Sequence, residues 1–172
     1  SGDPTYDTVN PSNVSVTNTD NDTSGITVTP TSGLTTTEAG GTATFSVVLD
    51  AEPTDDVTVG IASSDTSEGT VSAASLTFTS ATWSTAQTVT VTGANDSLDD
   101  GDIGYTITTA AATSSDGTYS GVNPSDVSAT TTDNDTSGIT VTPPSGLTTT
   151  EAGGTATFSV VLDAQPTDDV TV

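Results

Sequence analysis

The chain has no lysine, arginine or histidine, no cysteine and no methionine. Against these absences stand 23 aspartates and glutamates, a formal charge of -23 over 172 residues. Side-chain salt bridges are therefore excluded. Every carboxylate must face water, accept hydrogen bonds or meet a cation from outside. Nucleic acid and anionic membrane surfaces are excluded as partners, because both are negative themselves. Without cysteine there is no disulfide and no thiolate metal site. Without lysine there is no lysine-derived crosslink, and a Thr–Gln ester could use only Gln87 or Gln165. For catalysis, only a carboxylate pair of the glycosidase kind remains. Aromatics make up 4% of the chain, too few to line a cleft for it. We read the chain as a non-enzyme. Its apolar runs fall far short of the roughly 20 residues a membrane helix needs, so no membrane insertion is expected. It begins at Ser1-Gly2 with no signal peptide, as a window cut from a longer protein would.

Low hydrophobicity with high net charge usually signals disorder. Here the apolar residues alternate with Thr and Ser in short runs such as TATFSVVL and QTVTVTG, the pattern of half-buried strands. The chain also repeats itself. SGITVTPTSGLTTTEAGGTATFSVVLDAEPTDDVTV starts at Ser24 and returns at Ser137, an offset of 137 minus 24, or 113 residues. Over these 36 positions only Thr31/Pro144 and Glu52/Gln165 differ. Upstream, TYDTVNPSNVSVTNTDND from Thr5 matches TYSGVNPSDVSATTTDND from Thr118 at the same offset. One complete unit, residues 24–136, is expected between the C-terminal strand region of a preceding repeat (1–23) and the N-terminal strands of a following one (137–172). The flanks lack the middle of the unit and cannot close a sandwich together. A period this long is a whole domain, hence beads on a string.

Within the unit, strands are expected at 25–29, 34–37, 42–49, 57–62, 75–79, 87–92, 105–109 and 126–132. Thr suits their outward positions through its β-branching. The expected fold is all-β, an immunoglobulin-like sandwich of seven to eight strands. Strand alternation gathers the Glu38 turn, the loop ANDSLDDGD (94–102) and the strand end Asp133-Asn134-Asp135 at one tip. Two unit charges about 4 Å apart cost roughly 4 kcal/mol at an effective dielectric near 20. Oxygen-only ligands in a flexible loop select a hard cation and suit Ca2+ better than Mg2+. DSLDDGD lacks the EF-hand spacing. Asp55-Asp56 and the pair Asp65 and Glu68 read as solvated loop acids.

TTTEAGG, VTGANDSLDDGD and TDNDTSGI, spanning nearly all of 24–136, resemble the landmarks of the Calx-beta domain family. That family is known from sodium–calcium exchangers and from tandem arrays in bacterial surface proteins. The resemblance implies a two-sheet sandwich with Ca2+ at one tip. It implies as ligands Glu38, Asp96, Asp99, Asp100, Asp102, Asp133 and Asp135, with Asn134 through its side chain or backbone. Asp65 matches a further family position more weakly. Ser97 and Asn134 stand where calcium-binding exchanger domains carry acids, so one or two ions are expected, not a cluster of four. The Asp20-Asn21-Asp22 copy lacks its own acidic loop in this chain, so its site is incomplete.

The expected function is a structural spacer of a long extracellular or cell-surface adhesin or filament, stiffened by calcium between repeats. Its partners are neighbouring repeats and, in a filament, identical chains. The alternative is a carbohydrate- or protein-binding surface module, which near-identity of successive units disfavours. Trp83 is expected to pack, and Tyr119 and its copy Tyr6 to serve as tyrosine-corner-like supports. The sequons at Asn13, Asn21, Asn95 and Asn134 read as chance, while the exposed threonines leave room for O-linked glycans.

Overall fold

The computed structural model describes residues 2–172. Nine strands form the sandwich: β1 (Ile26–Thr29), β2 (Leu34–Thr37), β3 (Thr42–Leu49), β4 (Val57–Ser63), β5 (Gly69–Val71), β6 (Ser75–Phe78), β7 (Gln87–Gly93), β8 (Ile103–Thr109) and β9 (Val127–Thr132). Two more, β10 (Ile139–Thr142) and β11 (Ser159–Leu162), follow it. One sheet has the order β1-β3-β7-β5, the other β2-β9-β8-β4-β6. The architecture is the expected all-β, immunoglobulin-like sandwich. The strand beyond the expected eight is β5, three residues long and too short to show an alternation. No helix among the described residues is long and apolar enough to cross a membrane.

Alternation fills the core from both sheets. Phe45, Val47 and Leu49 of β3 and Val89 and Val91 of β7 face Val57, Val59 and Ile61 of β4 and Ile107 and Val127 across the sandwich. Trp83 is half-buried against this cluster. Tyr119 is 1% exposed; its hydroxyl donates to the Ala51 carbonyl at 2.6 Å and accepts from the Ala51 amide at 3.1 Å. This pins the 114–121 segment to the loop after β3.

The same period of two carries the inward face past the core into polar territory. Leu34 and Thr36 are buried on β2, and Glu38, two residues on, is buried as well. On β9 the inward series Val127, Ala129, Thr131 runs on towards Asp133. β2 and β9 are parallel, with Leu34 opposite Ala129 and Thr36 opposite Thr131. Parallel strands end at the same tip, so Glu38 and Asp133 emerge side by side. β7 also ends there. A Cβ on Gly93 would run into the Thr37 carbonyl oxygen, so glycine lets the acidic loop leave β7 close beside the Glu38 turn.

β10 and β11 repeat the β1–β3 pairing in the same register: Ile139 opposite Leu162 matches Ile26 opposite Leu49. Their apolar faces have no second sheet over them. Phe45 is 2% exposed, whereas its copy Phe158 is 61% exposed. Phe45→Ala should therefore cost about 3–5 kcal/mol or abolish cooperative unfolding. Phe158→Ala should stay within about 0.5 kcal/mol of the parent. Denaturant unfolding of the two variants distinguishes them.

Candidate metal centre

The tip is assembled by strand ends. Glu38 follows β2, Asp96 to Asp102 link β7 to β8, and Asp133 to Asp135 follow β9. The Glu38 amide donates to the Thr132 carbonyl at 3.2 Å, extending the β2–β9 pairing by one rung. Its carboxylate Oε2 accepts from the Asn134 amide at 3.0 Å. Asp133 Oδ2 accepts from the Gly101 amide at 2.8 Å, and Asp133 Oδ1 from the Asp135 amide at 2.7 Å. Asp102 Oδ1 accepts from the Asp133 amide at 3.2 Å. The Asn134 side chain donates to Asn95 Oδ1 at 3.2 Å. The acidic loop and the terminal acid run thus hold one another mainly through backbone amides.

Two carboxylate groupings result. Glu38, Asp133 and Asp135 each offer an oxygen within 4.8 Å of the others; Glu68, Asp96 and Asp100 form a second set under the same limit. Within each group of three, at such separations, a pair of ionised acids repels by roughly 3–4 kcal/mol at an effective dielectric near 20. Asp135 Oδ2 is buried without a hydrogen-bond partner, alone in this among the described residues. A buried polar atom normally has a partner. The all-oxygen donor set and this orphaned atom both fit a hard cation, calcium before magnesium.

Of the residues expected to bind, Glu38, Asp133 and Asp135 come together in one group and Asp96 and Asp100 in the other. Asp99 and Asp102 fall outside both. Asp99 Oδ2 instead accepts from the Ser137 amide at 2.7 Å, at the start of the following repeat. The Asn134 backbone amide donates to Glu38 Oε2 and its side-chain amide to Asn95 Oδ1. Asp65 is held locally by the amide and hydroxyl of Ser67, and those bonds, hydroxyl first, lower its pKa.

Glu68 was read from sequence as a solvated loop acid and is instead 6% exposed within the tip. The pairing of Gly69 with Gly93 in β5–β7 brings it there. A row of hydroxyls fixes its backbone: Thr131 Oγ1 donates to the Glu68 carbonyl at 2.8 Å and shares a hydrogen bond with Thr36 Oγ1, which meets the Tyr105 hydroxyl. The one sequence signal for Glu68 lies in the three-residue β5, which carries no readable alternation.

The buried glutamates feel the crowding. Burial raises the Glu68 pKa, and the charges of Asp100, Asp65, Asp96 and Glu38 add to the rise. At Glu38 the Asn134 amide pulls downward most strongly. Burial with the fields of Asp133, Asp96 and Asp135 outweighs it, so the net direction is up.

No family model and no curated protein matches the chain. Solved structures resemble its fold. The periplasmic chaperone SfaE is similar at a TM-score of 0.45 and 8% identity, over 64% of this chain and 58% of that one. The chain thus spans under two thirds of that chaperone. WR4, a C. elegans MSP family member, is similar at 0.41 and 13% identity, covering 64% and 99%. The ASH/PapD-like domain 7 of human CEP192 is similar at 0.45 and 15% identity, covering 74% and 98%.

A carboxylate whose pKa rises on folding stabilises the protonated fold. Its contribution is full below its ordinary value of 4.5 and is lost as pH rises through the folded value. In chelator, therefore, the ionisation of Glu38 and Glu68 should lower the melting temperature from pH 4.5 towards neutrality. Glu68→Gln should flatten that decline in a series of calorimetric melts.

Proposed function

We propose that residues 24–136 form a calcium-binding, Calx-beta-like repeat, and that the chain belongs to a tandem spacer of an extracellular adhesin or filament, without enzymatic activity. The observation that carries this reading is the orphaned, buried Asp135 Oδ2 inside the Glu38–Asp133–Asp135 group, in a chain with no cationic side chain to meet it. Glu38, Asp133 and Asp135 would hold one ion, and Glu68, Asp96 and Asp100 a second. When bound, calcium supplies the positive charge and accepts six to eight oxygens at flexible angles. The protein's part is to bring three strand ends to one point. The near-identity of residues 24–59 and 137–172 supports a demand for length and stiffness over a unique recognition surface.

The terminal acid run stands directly before Ser137, Gly138 and Ile139. Asp99 accepts from the Ser137 amide, so the tip residues also grip the start of the next repeat. Ordering the tip orders the junction.

Extracellular calcium modules bind at about 10⁻⁴–10⁻³ M. Free calcium at 100 times Kd should stabilise the fold by about 2.7 kcal/mol per site. Calorimetric titration and melts with and without chelator measure this; identical melts would overturn the proposal. Glu38→Gln should weaken calcium binding roughly tenfold or more, in the range seen when the surroundings of metal ligands are altered. Glu151→Gln, at the exposed copy of the same position, should leave binding unchanged.

A further inference from the structure

The two differences between the 36-residue copies are unequal in kind. Thr31/Pro144 changes no charge; Glu52/Gln165 does. Both members of the second pair lie where one repeat meets the next. At the first junction Glu52 shares a cleft of about 290 Å³ with Asp20 and Asp22, the acid run of the preceding repeat. At the second junction, a cleft of about 350 Å³ has Leu98, Asp99 and Asp100 on one side and Pro166, Asp168 and Asp169 on the other, with Gln165 also in its lining. The Gln165 amide donates to the Ser97 carbonyl at 2.6 Å, a backbone bond from the following repeat to the acidic loop of the complete one. Together with the Ser137–Asp99 bond, it gives the junction two fixed points.

We propose that the loop 164–169 is the docking surface for the acidic loop of the repeat before it, and that position 52/165 sets how tightly successive repeats dock. The partner is the neighbouring repeat of the same chain. Gln165 leaves Asp99, Asp100, Asp168 and Asp169 as the acids of the second cleft. A glutamate there adds a fifth negative charge beside them and loosens the contact. Alternating neutral and acidic residues at this position along an array would alternate firm and yielding joints. The inference rests on reading the chain as a row of docked repeats.

The absence of cysteine makes the test clean. Spin labels at Ser84→Cys in the complete repeat and Val161→Cys on β11, both exposed, report the distance across the junction. The parent pair should give a narrow distance distribution in calcium chloride. Gln165→Glu should broaden it, and raising the salt to about 1 M should narrow it again, because the screening length then falls to about 3 Å, within the span of the cleft. Gln165→Leu, neutral and of similar size, should stay narrow. Gln165→Pro, which removes the amide donor to Ser97, should broaden it at every salt concentration. If Gln165→Glu matches the parent, or if Glu and Leu broaden it equally, the tuning role is overturned. If Gln165→Pro stays narrow, the docking contact is overturned. Calorimetry with calcium chloride on the same samples separates the two proposals. Calcium binding without a Gln165→Glu effect removes this inference alone, and the reverse result removes the calcium reading alone.

Discussion

Everything in this chain is arranged around negative charge that no side chain can neutralise. Hydroxyls and backbone amides replace the missing cations. Asp116 shows the substitution in full. Its carboxylate accepts from the Thr118 hydroxyl at 2.6 Å, the Thr54 amide at 2.8 Å and the Thr118 amide at 2.8 Å. Those bonds hold its pKa well below the usual carboxylate range. Asp126 is met by the Thr109 amide and hydroxyl, and Asp50 by the Thr27 hydroxyl. The threonine content thus serves twice, as a β-former on the strands and as a donor to acids. Asp116, Asp65 and Asp99 shift downward through the hydrogen bonds they accept; Glu68 shifts upward through burial and then neighbouring acids, which at Glu38 outweigh the downward pull of the Asn134 amide.

The repeated segments show how far local sequence determines structure. β10 and β11 reproduce the β1–β3 pairing in an identical register, since that pair joins residues close in the chain. The copy of β2 does not form a strand: its Thr150 makes only local bonds, an isolated bridge to Gly154 and turn bonds from the Gly153 and Gly154 amides. Its partner in the complete repeat, β9, pairs in parallel from 95 residues downstream. The same letters, LTTTEAGG, therefore bury Glu38 to 3% exposure and leave Glu151 exposed. Tyr119 and Tyr6 differ likewise, at 1% and 67% exposed, because only Tyr119 has the 51–54 loop to plug.

Much of the fold was readable because it depends on alternation. Strands β2 and β3 lie where the pattern of Leu34–Thr37 and Thr42–Leu49 puts them; the other expected strands differ by a residue or two at their ends, and only β5 was not expected. The gathering of Glu38, the 94–102 loop and 133–135 at one tip was readable from the parity of strand directions. The partition of those acids was not. Asp99 and Asp102 look like their neighbours in sequence but bond to amides of Ser137 and Asp133. Glu68 was hidden because its place depends on Gly69 pairing with Gly93, a contact between two glycines with no hydrophobic signature.

The tip and the junction share residues, so neither can change alone. Asp133 ties the acidic loop through Gly101, Asp99 ties that loop to Ser137, and Ser97 receives the amide of Gln165. These bonds run from β9 of one repeat, through the loop between β7 and β8, to one end of the β10–β11 pair of the next, where Ile139 faces Leu162. A tip strained by like charges would push the loop away from Glu38 and Asp133 and draw on both contacts to the following repeat. A tip neutralised by the proposed cation would let the loop settle and hold them. On the proposed reading as a calcium-bound spacer, stiffness along an array would follow the charge balance at each seam, and a chain without cationic side chains takes that balance from the surrounding solution.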